Sequence, residues 1–135
     1  MLPGTLQDPR PPFVIAAEGT RGMQLAAHYG QGWVTIGRSS KESETCYDAV
    51  TSQLQRLNEA LLLQKNDSTN FEKVLLNGLS DERPLVSLDA FVDWAGRYQE
   101  LGITELVIHW PEPNSLFDAD SGIFETIAVE GLSQL

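Results

Sequence analysis

Phe-Val-Ile-Ala-Ala-Glu-Gly-Thr, residues 13–20, is the stretch that decides the fold of this chain. Its apolar part, Phe13 to Ala17, shows no alternation, which is typical of a strand buried on both faces of a parallel sheet. Thr20 can then cap a helix over Arg21 to Tyr29, and Gly30 predicts a left-handed stop at its end. A strand followed at once by a helix is the repeating unit of an α/β protein.

The same alternation of strand and helix continues to the end of the chain. Three further strands are predicted: Gly32 to Ile36, Phe71 to Asn77, and one within Ile103 to Trp110 with Leu106 to Ile108 as its centre. Three further helices are predicted: one within Glu42 to Lys65 on its apolar stripe, one from the Ser87 cap to Gly102, and one over Gly122 to about Gly131 with caps among Asp118 to Ser121. Strict alternation indicates a parallel sheet with right-handed crossovers. Four such units form either a small open sheet or four of the eight units of a closed barrel.

Composition limits the class of protein and its partners. The 135 residues, with 9 basic and 19 acidic side chains and a net charge of −10, fit one domain over residues 13–135 after a proline-rich connector over residues 1–12. The acidic balance argues against nucleic acid and anionic membranes as partners. The apolar runs are too short for a transmembrane helix and no signal segment opens the chain, so we expect a cytoplasmic protein. The single Cys46 excludes an internal disulfide and a multi-cysteine metal site, and we expect no metal.

Two stretches resemble a known enzyme family. Pro12 to Trp33, with its strand ending in small residues, its glycine turn, its Leu-Ala-Ala helix and its Gly-Trp strand, looks like the second-half signature of the bacterial luciferase-like monooxygenases. Leu101 to Pro111 is similar to the last barrel strand of that family. The resemblance extends from Pro11 to about Leu132. It implies the C-terminal half of a TIM (β/α)8 barrel and an oxidoreductase that uses FMN or a deazaflavin (coenzyme F-420) for hydride or oxygen transfer to a small-molecule substrate.

The resemblance implies that the cofactor phosphate lies at the first strand–helix turn and at the end of the second strand. The residues carried over are Ala16, Ala17, Glu18, Gly19, Thr20, Arg21, Thr35, Ile36 and Gly37. Small residues allow a close approach of the backbone, and a helix N-terminus favours phosphate. The alternative is that Gly19 only makes the turn from strand to helix. Glu18 departs from the pattern, because a carboxylate beside a phosphate is repulsive unless it turns away.

The other candidate residues each have a structural alternative. His109, at the end of the fourth strand, can polarise a substrate carbonyl or relay a proton, or can simply fill the barrel mouth. The loop with Asn77, Asp81, Glu82 and Arg83 can touch a ligand or be a solvated turn. The remaining candidates are assigned to the scaffold: Asp118 and Asp120 as helix caps rather than metal ligands, Trp94 and Tyr98 as helix core or rim, Cys46 as buried packing, and His28 as structural or solvated.

A half-barrel leaves open edges at its first and fourth strands, which are an aggregation hazard. We therefore expect the chain to pair with an N-terminal half, to form a homo-oligomer, or to be a truncated remnant. The family's N-terminal strands carry most ring contacts and acid–base residues, and nothing here corresponds to them. The alternative to an oxidoreductase is thus a non-catalytic assembly or binding module. A dinucleotide-binding domain is less favoured, because its Gly-x-Gly-x-x-Gly fingerprint is missing.

Overall fold

The computed structural model describes residues 8–39, 41–66, 68–78, 80 and 82–135, in which strands and helices alternate. The elements are β1 (Val14–Ala16), α1 (Thr20–Tyr29), β2 (Gly32–Thr35), α2 (Cys46–Leu63), β3 (Glu72–Leu76), α3 (Leu88–Leu101), β4 (Glu105–Val107) and α4 (Ser121–Thr126). A short 3-10 turn, Ser68–Asn70, precedes β3, and a π-helical turn, Ile127–Gly131, with a 3-10 turn, Leu132–Gln134, continues α4. The predicted α/β architecture is confirmed. The described part of the predicted connector, residues 8–12, forms no strand or helix.

The sheet contains four parallel strands in the order β1-β2-β3-β4. Their register aligns Ala16, Val34 and Val74 in one row across the first three strands. Helix α1 contacts α2, α2 contacts α3, and α4 continues into a turn that contacts α3. The helices therefore form one layer on a single face of the sheet, as expected when consecutive crossovers have the same hand.

The hydrophobic core lies between this sheet face and the helix layer. Trp33 of β2 and Leu75 of β3 are buried against it, and the Trp33 indole donates to the Ala17 carbonyl oxygen at 2.8 Å. The helices supply Leu57, Trp94 and other large side chains of the same cluster. The expectation that Trp94 and Tyr98 belong to the helix core or rim is confirmed.

The opposite face of the sheet carries none of these helices and is largely aliphatic, with the exposed Glu72 and Glu105 at the first residues of β3 and β4. Alternation along the strands places Val14, Val34, Val74 and Val107 on it. Val14 is 43% exposed although its side chain is aliphatic. In the described part of the chain, β1 pairs only with β2 and β4 only with β3, so both edges of the sheet are free. The arrangement is consistent with a half-barrel.

The ends of α1 differ from the sequence prediction. Gly19, not Thr20, is the N-cap, and no side chain caps the helix there. Gly30 follows α1 with φ of −91°, so the predicted left-handed stop is wrong. The physical reason for a glycine is close packing, since a Cβ at residue 30 would lie 2.8 Å from the Ala26 carbonyl oxygen.

The other helix ends agree better with the sequence. Ser87 accepts a hydrogen bond from the Ala90 amide, and Gly102 ends α3 with φ of +102°. Asp120 caps α4 through the Ile123 amide. Asp118 is not a cap, because its carboxylate accepts from the Asn114 amide within the preceding loop.

The predicted strands are longer than the observed ones. The fourth strand is expected within Ile103 to Trp110 with Leu106 to Ile108 as its centre, and β4 lies in that range at Glu105–Val107, one residue earlier than the predicted centre. An edge strand has a single neighbour, and β4 pairs with only three residues of β3, Val74 to Leu76. Each helix in the described residues is too short or too polar to cross a membrane.

We expect Gly37→Ala to destabilise the protein by about 2 kcal/mol or more in urea unfolding. Gly37 has φ of +69°, and an added Cβ would overlap the Cys46 sulfur and lie 3.3 Å from Val50 Cγ2. Gly96 is the matched control, because its Cβ position inside α3 meets nothing within 4 Å. Gly96→Ala should stabilise the protein by about 0.5–1 kcal/mol through helix propensity. Equal effects of the two substitutions would contradict this reading of Gly37.

Candidate functional site

A groove of about 380 Å³ opens at the carboxyl-terminal edge of the sheet, between the β1–α1 turn and α2. Parallel strands bring the ends of β1 and β2 to this same edge, which is where α/β proteins commonly bind ligands. We call it the arginine groove. Its lining consists of Glu18, Gly19, Thr20, Arg38, Ser39, Glu44, Ala49, Ser52, Gln53 and Arg56. Three of the residues carried over from the family resemblance, Glu18, Gly19 and Thr20, are therefore brought together here.

The groove contains two guanidinium groups that the sequence patterns do not single out. The Arg56 Nη1 atom donates to the Glu18 carbonyl oxygen at 2.9 Å, which fixes α2 against the β1–α1 turn. The Arg38 side chain is exposed, and no hydrogen-bond partner for it is found among the described residues. The only available sequence signal was that Arg38 follows the end of β2. Nothing local points to Arg56, which lies 38 positions after Glu18.

The N-terminus of α1 faces the same space without a side-chain cap. The first amides of a helix have no intrahelical acceptor, and they carry the positive end of the helix dipole. A Cβ at Gly19 would meet nothing within 4 Å, so the space beside this turn is open. The turn can therefore be approached by an anion.

Two carboxylates moderate the positive charge of the groove. The Glu44 carboxylate accepts a hydrogen bond from the Ser39 hydroxyl. Glu18 also lines the groove, and no ion pair of its side chain is found in the described ranges. The two arginines balance these two carboxylates, so the groove is locally near neutral in a chain of net charge −10.

Thr35 supports the groove from inside instead of lining it. The side chain is 4% exposed, and its hydroxyl donates to Gln53 Oε1 at 2.5 Å while accepting from the Gly37 amide at 3.0 Å. Gln53 Nε2 in turn donates to the Arg38 carbonyl oxygen at 3.2 Å. The buried pair thus fixes the backbone that carries Arg38.

The remaining residues of the predicted phosphate site lie outside the lining of the groove. Gly37 packs against Cys46 and Val50, and Ile36 is half-buried at the end of β2. Ala17 accepts the Trp33 hydrogen bond, while Ala16 and Arg21 are exposed on either side of the turn. These residues surround the β1–α1 turn without lining the groove.

A second cleft, of about 220 Å³, lies at the same edge beyond β3 and β4. We call it the His109 cleft. His109 stacks on Phe117 with 3.8 Å between ring centroids and 21° between the planes. Asn77, Glu82 and Arg83 of the predicted loop also line it, whereas Asp81 lies outside the described residues. The rest of the lining is Gly78, Pro84, Leu85, Val86, Leu116, Asp118, Ala119, Asp120 and Ile123.

A buried polar cluster joins α2, α3 and the loop after β3. The Tyr98 hydroxyl lies 3.3 Å from the Cys46 sulfur and donates to the Glu82 carboxylate, which Arg97 approaches at 3.6 Å. Burial raises the pKa of the Cys46 thiol to about 11 and raises the pKa of Tyr98 as well. Both groups are protonated at neutral pH, so Cys46 is a packed thiol and not a nucleophile. The expectation that Cys46 is buried is confirmed by its 8% exposure.

One further expectation concerns a residue away from the clefts. His28 is exposed on α1, where its Nδ1 atom lies 2.9 Å from Gln64 Oε1, as expected for a structural or solvated histidine. Over the described ranges, no group of three or more metal-ligating side chains comes together.

Comparison with models of known protein families and with curated proteins finds no match to this chain.

We expect stability to fall as pH rises from about 9 to 11, by up to about 1.4 kcal/mol per pH unit for each buried group. Above its ordinary pKa of 9.0 the Cys46 thiol ionises in the unfolded chain but stays protonated in the folded one. The unfolded state then binds fewer protons, so the free energy of unfolding decreases with pH. Urea unfolding measured across this range checks the slope.

Cys46→Ala should make that slope shallower, because one of the two buried acids is removed. Val50→Ala is the control, since it removes buried volume from the same helix but no titratable group. A slope that stays the same in Cys46→Ala would contradict the assignment.

Proposed function

We propose that this chain is the cofactor-phosphate-binding part of a luciferase-like oxidoreductase that uses FMN or a deazaflavin. In this proposal the four-stranded sheet is the C-terminal half of a TIM barrel. The observation that carries the proposal is the arginine groove, which lies at the very turn where the family resemblance expects the cofactor phosphate. The open apolar face of the sheet would then be part of the barrel interior.

The chemistry of the groove fits a phosphate. Arg38 offers an exposed guanidinium, Arg56 fixes the turn, and the uncapped first turn of α1 offers amide donors. Guanidinium groups and helix N-termini are two of the common ways to hold phosphate. A bound phosphate would also compensate for the lack of a capping side chain at Gly19.

The carboxylates of Glu18 and Glu44 are expected to lower the affinity of the groove for phosphate. Glu18 is the residue that departs from the family pattern, and its backbone carbonyl is already held by Arg56. Glu44 is bonded to Ser39, which limits its reach into the groove. Phosphate binding therefore depends most on Arg38, whose guanidinium is free of partners among the described residues.

A flavin or deazaflavin, when bound, supplies the capacity to transfer a hydride or to activate oxygen. The residues of this chain bind and orient it: the α1 N-terminus and Arg38 hold the phosphate, and the Thr35–Gln53 pair keeps the supporting backbone in place. His109 lies at the same edge of the sheet and is the candidate to polarise a substrate carbonyl or to hold a proton.

We expect FMN to bind at least about tenfold more tightly than riboflavin, because only FMN carries the phosphate that the groove recognises. Arg38→Glu and Gly19→Asp should each remove this preference by placing a carboxylate near the phosphate. Flavin fluorescence titration measures both affinities, and the deazaflavin can be titrated by its absorbance in the same way.

Lys65→Glu is the matched control for Arg38→Glu, since it changes the net charge by the same amount but lies beyond the far end of α2. It should leave the FMN preference intact. Equal affinity for FMN and riboflavin in the unmodified protein would contradict the proposal.

A second candidate function, assembly with another half-barrel, is favoured by the open sheet. Its apolar face and its two free edges in the described chain present both hydrophobic surface and unpaired backbone groups. Such edges pair readily with other strands. A second copy of this chain supplies four further strands of the same kind and is the simplest partner.

We expect the purified chain to sediment as a dimer or larger species, and Val14→Lys to shift it to monomer. Val14 is exposed on the open face of edge strand β1, so a lysine there costs the isolated chain little. Leu62→Lys is the control, because Leu62 is 79% exposed on α2, in the helix layer. Dissociation by the Leu62 substitution alone would place the interface on the helices instead.

A further inference from the structure

The His109 cleft has features of a small-molecule site that is separate from the arginine groove. It lies beyond the ends of β3 and β4 and is closed by the two loops that follow them. The two clefts have no lining residue in common. What it binds can therefore be inferred without reference to the phosphate site.

The His109 and Phe117 rings contribute aromatic surface to the cleft. His109 and Phe117 are stacked almost parallel, and no hydrogen-bond partner of the His109 ring is found among the described residues. Gly78 leaves room for this histidine, since a Cβ at residue 78 would lie 2.6 Å from His109 Nε2. The glycine thus allows the imidazole to lie over the end of β3, where its nitrogens remain available.

The lining of the cleft also includes aliphatic side chains. Leu85 and Ile123 are half-buried, and Pro84 is buried. A cleft lined by aromatic and aliphatic side chains favours a flat, apolar ring. Long flexible chains gain less from such a cleft, because they lose more conformational freedom when they are held.

The size of the cleft restricts the ligand to one or two rings. Its volume of about 220 Å³ exceeds the ~150 Å³ of a cavity that binds benzene and lies below the ~300 Å³ at which sites for drug-sized ligands begin. The three fused rings of a flavin with its side chain are too large for it.

The charges around the cleft select against an acidic ligand. Three carboxylates line it, and of these only Glu82 has a cationic partner among the described residues, Arg97. Asp118 and Asp120 each use one oxygen to accept a backbone amide, which leaves the other oxygen without a bond in the described structure. Arg83 contributes a guanidinium to the lining, but its Nη1 atom is bonded to the Ser80 and Glu82 carbonyl oxygens.

From this arrangement we infer that the His109 cleft binds a small planar aromatic ligand of one or two rings that carries an N–H donor and is neutral or cationic. The ring of the ligand lies in the cleft beside the His109–Phe117 pair, and the N–H group of the ligand donates to an aspartate oxygen or to the imidazole. The inference goes beyond the proposed function, because it requires neither a flavin nor the arginine groove.

Three probes test the inference on the full chain: benzamidine, which is cationic, indole, which is neutral, and benzoate, which is anionic. We expect saturable binding of benzamidine and indole in the millimolar range or tighter, with amide chemical-shift changes at Asn77, Gly78 and Ala119 in NMR titrations. Benzoate should bind at least about tenfold more weakly because of the acidic lining. No saturable binding of benzamidine or indole, or benzoate binding as tight as benzamidine, would overturn the inference.

The combined substitution Asp118→Asn with Asp120→Asn removes the charge of the two aspartates while keeping the fold. Asparagine keeps an acceptor oxygen for the loop amide and remains a good helix cap, so the structure should persist. We expect benzamidine affinity to fall about tenfold while indole affinity changes less than about threefold. Equal losses for the two probes would contradict an electrostatic role for the aspartates.

Glu59→Gln with Glu100→Gln is the matched control, because it removes two exposed carboxylates from α2 and α3. It should leave both affinities unchanged, and a tenfold loss of benzamidine affinity here would show that net charge alone attracts the probe.

His109→Leu should lower the affinities for benzamidine and indole alike, because it removes the aromatic plane. We also expect that FMN does not displace benzamidine, because the two ligands occupy different clefts. A failure of benzamidine to bind would therefore leave the proposal for the arginine groove intact. A failure of FMN to bind would likewise leave the inference for the His109 cleft intact.

Discussion

The parallel order of the four strands is the constraint on which the rest of this structure depends. Each strand is joined to its neighbour through a helix, and crossovers of one hand place consecutive helices on one face of the sheet. That face becomes the core around Trp33 and Leu75, while the other face leaves Val14 exposed and Val34 and Val107 half-buried. The same order brings every strand end to one edge, where both clefts are found.

The interior of the helix layer holds the candidate sites in place. Thr35 and Gln53 form a buried pair that fixes the backbone of Arg38, and the Trp33 indole fixes the β1–α1 turn. Across the layer, Tyr98 connects Cys46 of α2 with Glu82 of the loop beside the His109 cleft. Buried polar groups of this kind are costly to leave unpaired, so they restrict the loops to one arrangement.

The open face gives the protein two possible physical roles. As part of a closed barrel it would line the interior, and the arginine groove would hold a cofactor phosphate at the rim. As an assembly module it would serve chiefly to bury the valines of the sheet against a second half. Both roles use the same surface, and they differ in whether the groove binds a flavin phosphate.

The sequence by itself determined the order of elements, because apolar runs, helical stripes and caps such as Ser87, Gly102 and Asp120 act within a few residues of one another. The binding role of the β1–α1 turn comes from the family resemblance and stays a prediction. The predicted left-handed stop at Gly30 was wrong, since the glycine is required there by close packing against the Ala26 carbonyl oxygen. The tertiary structure alone decided that Arg56 reaches Glu18, that Thr35 is used internally, and that Phe117 stacks on His109. These contacts join residues on different elements, so they depend on how the layers pack and leave no local pattern in the chain.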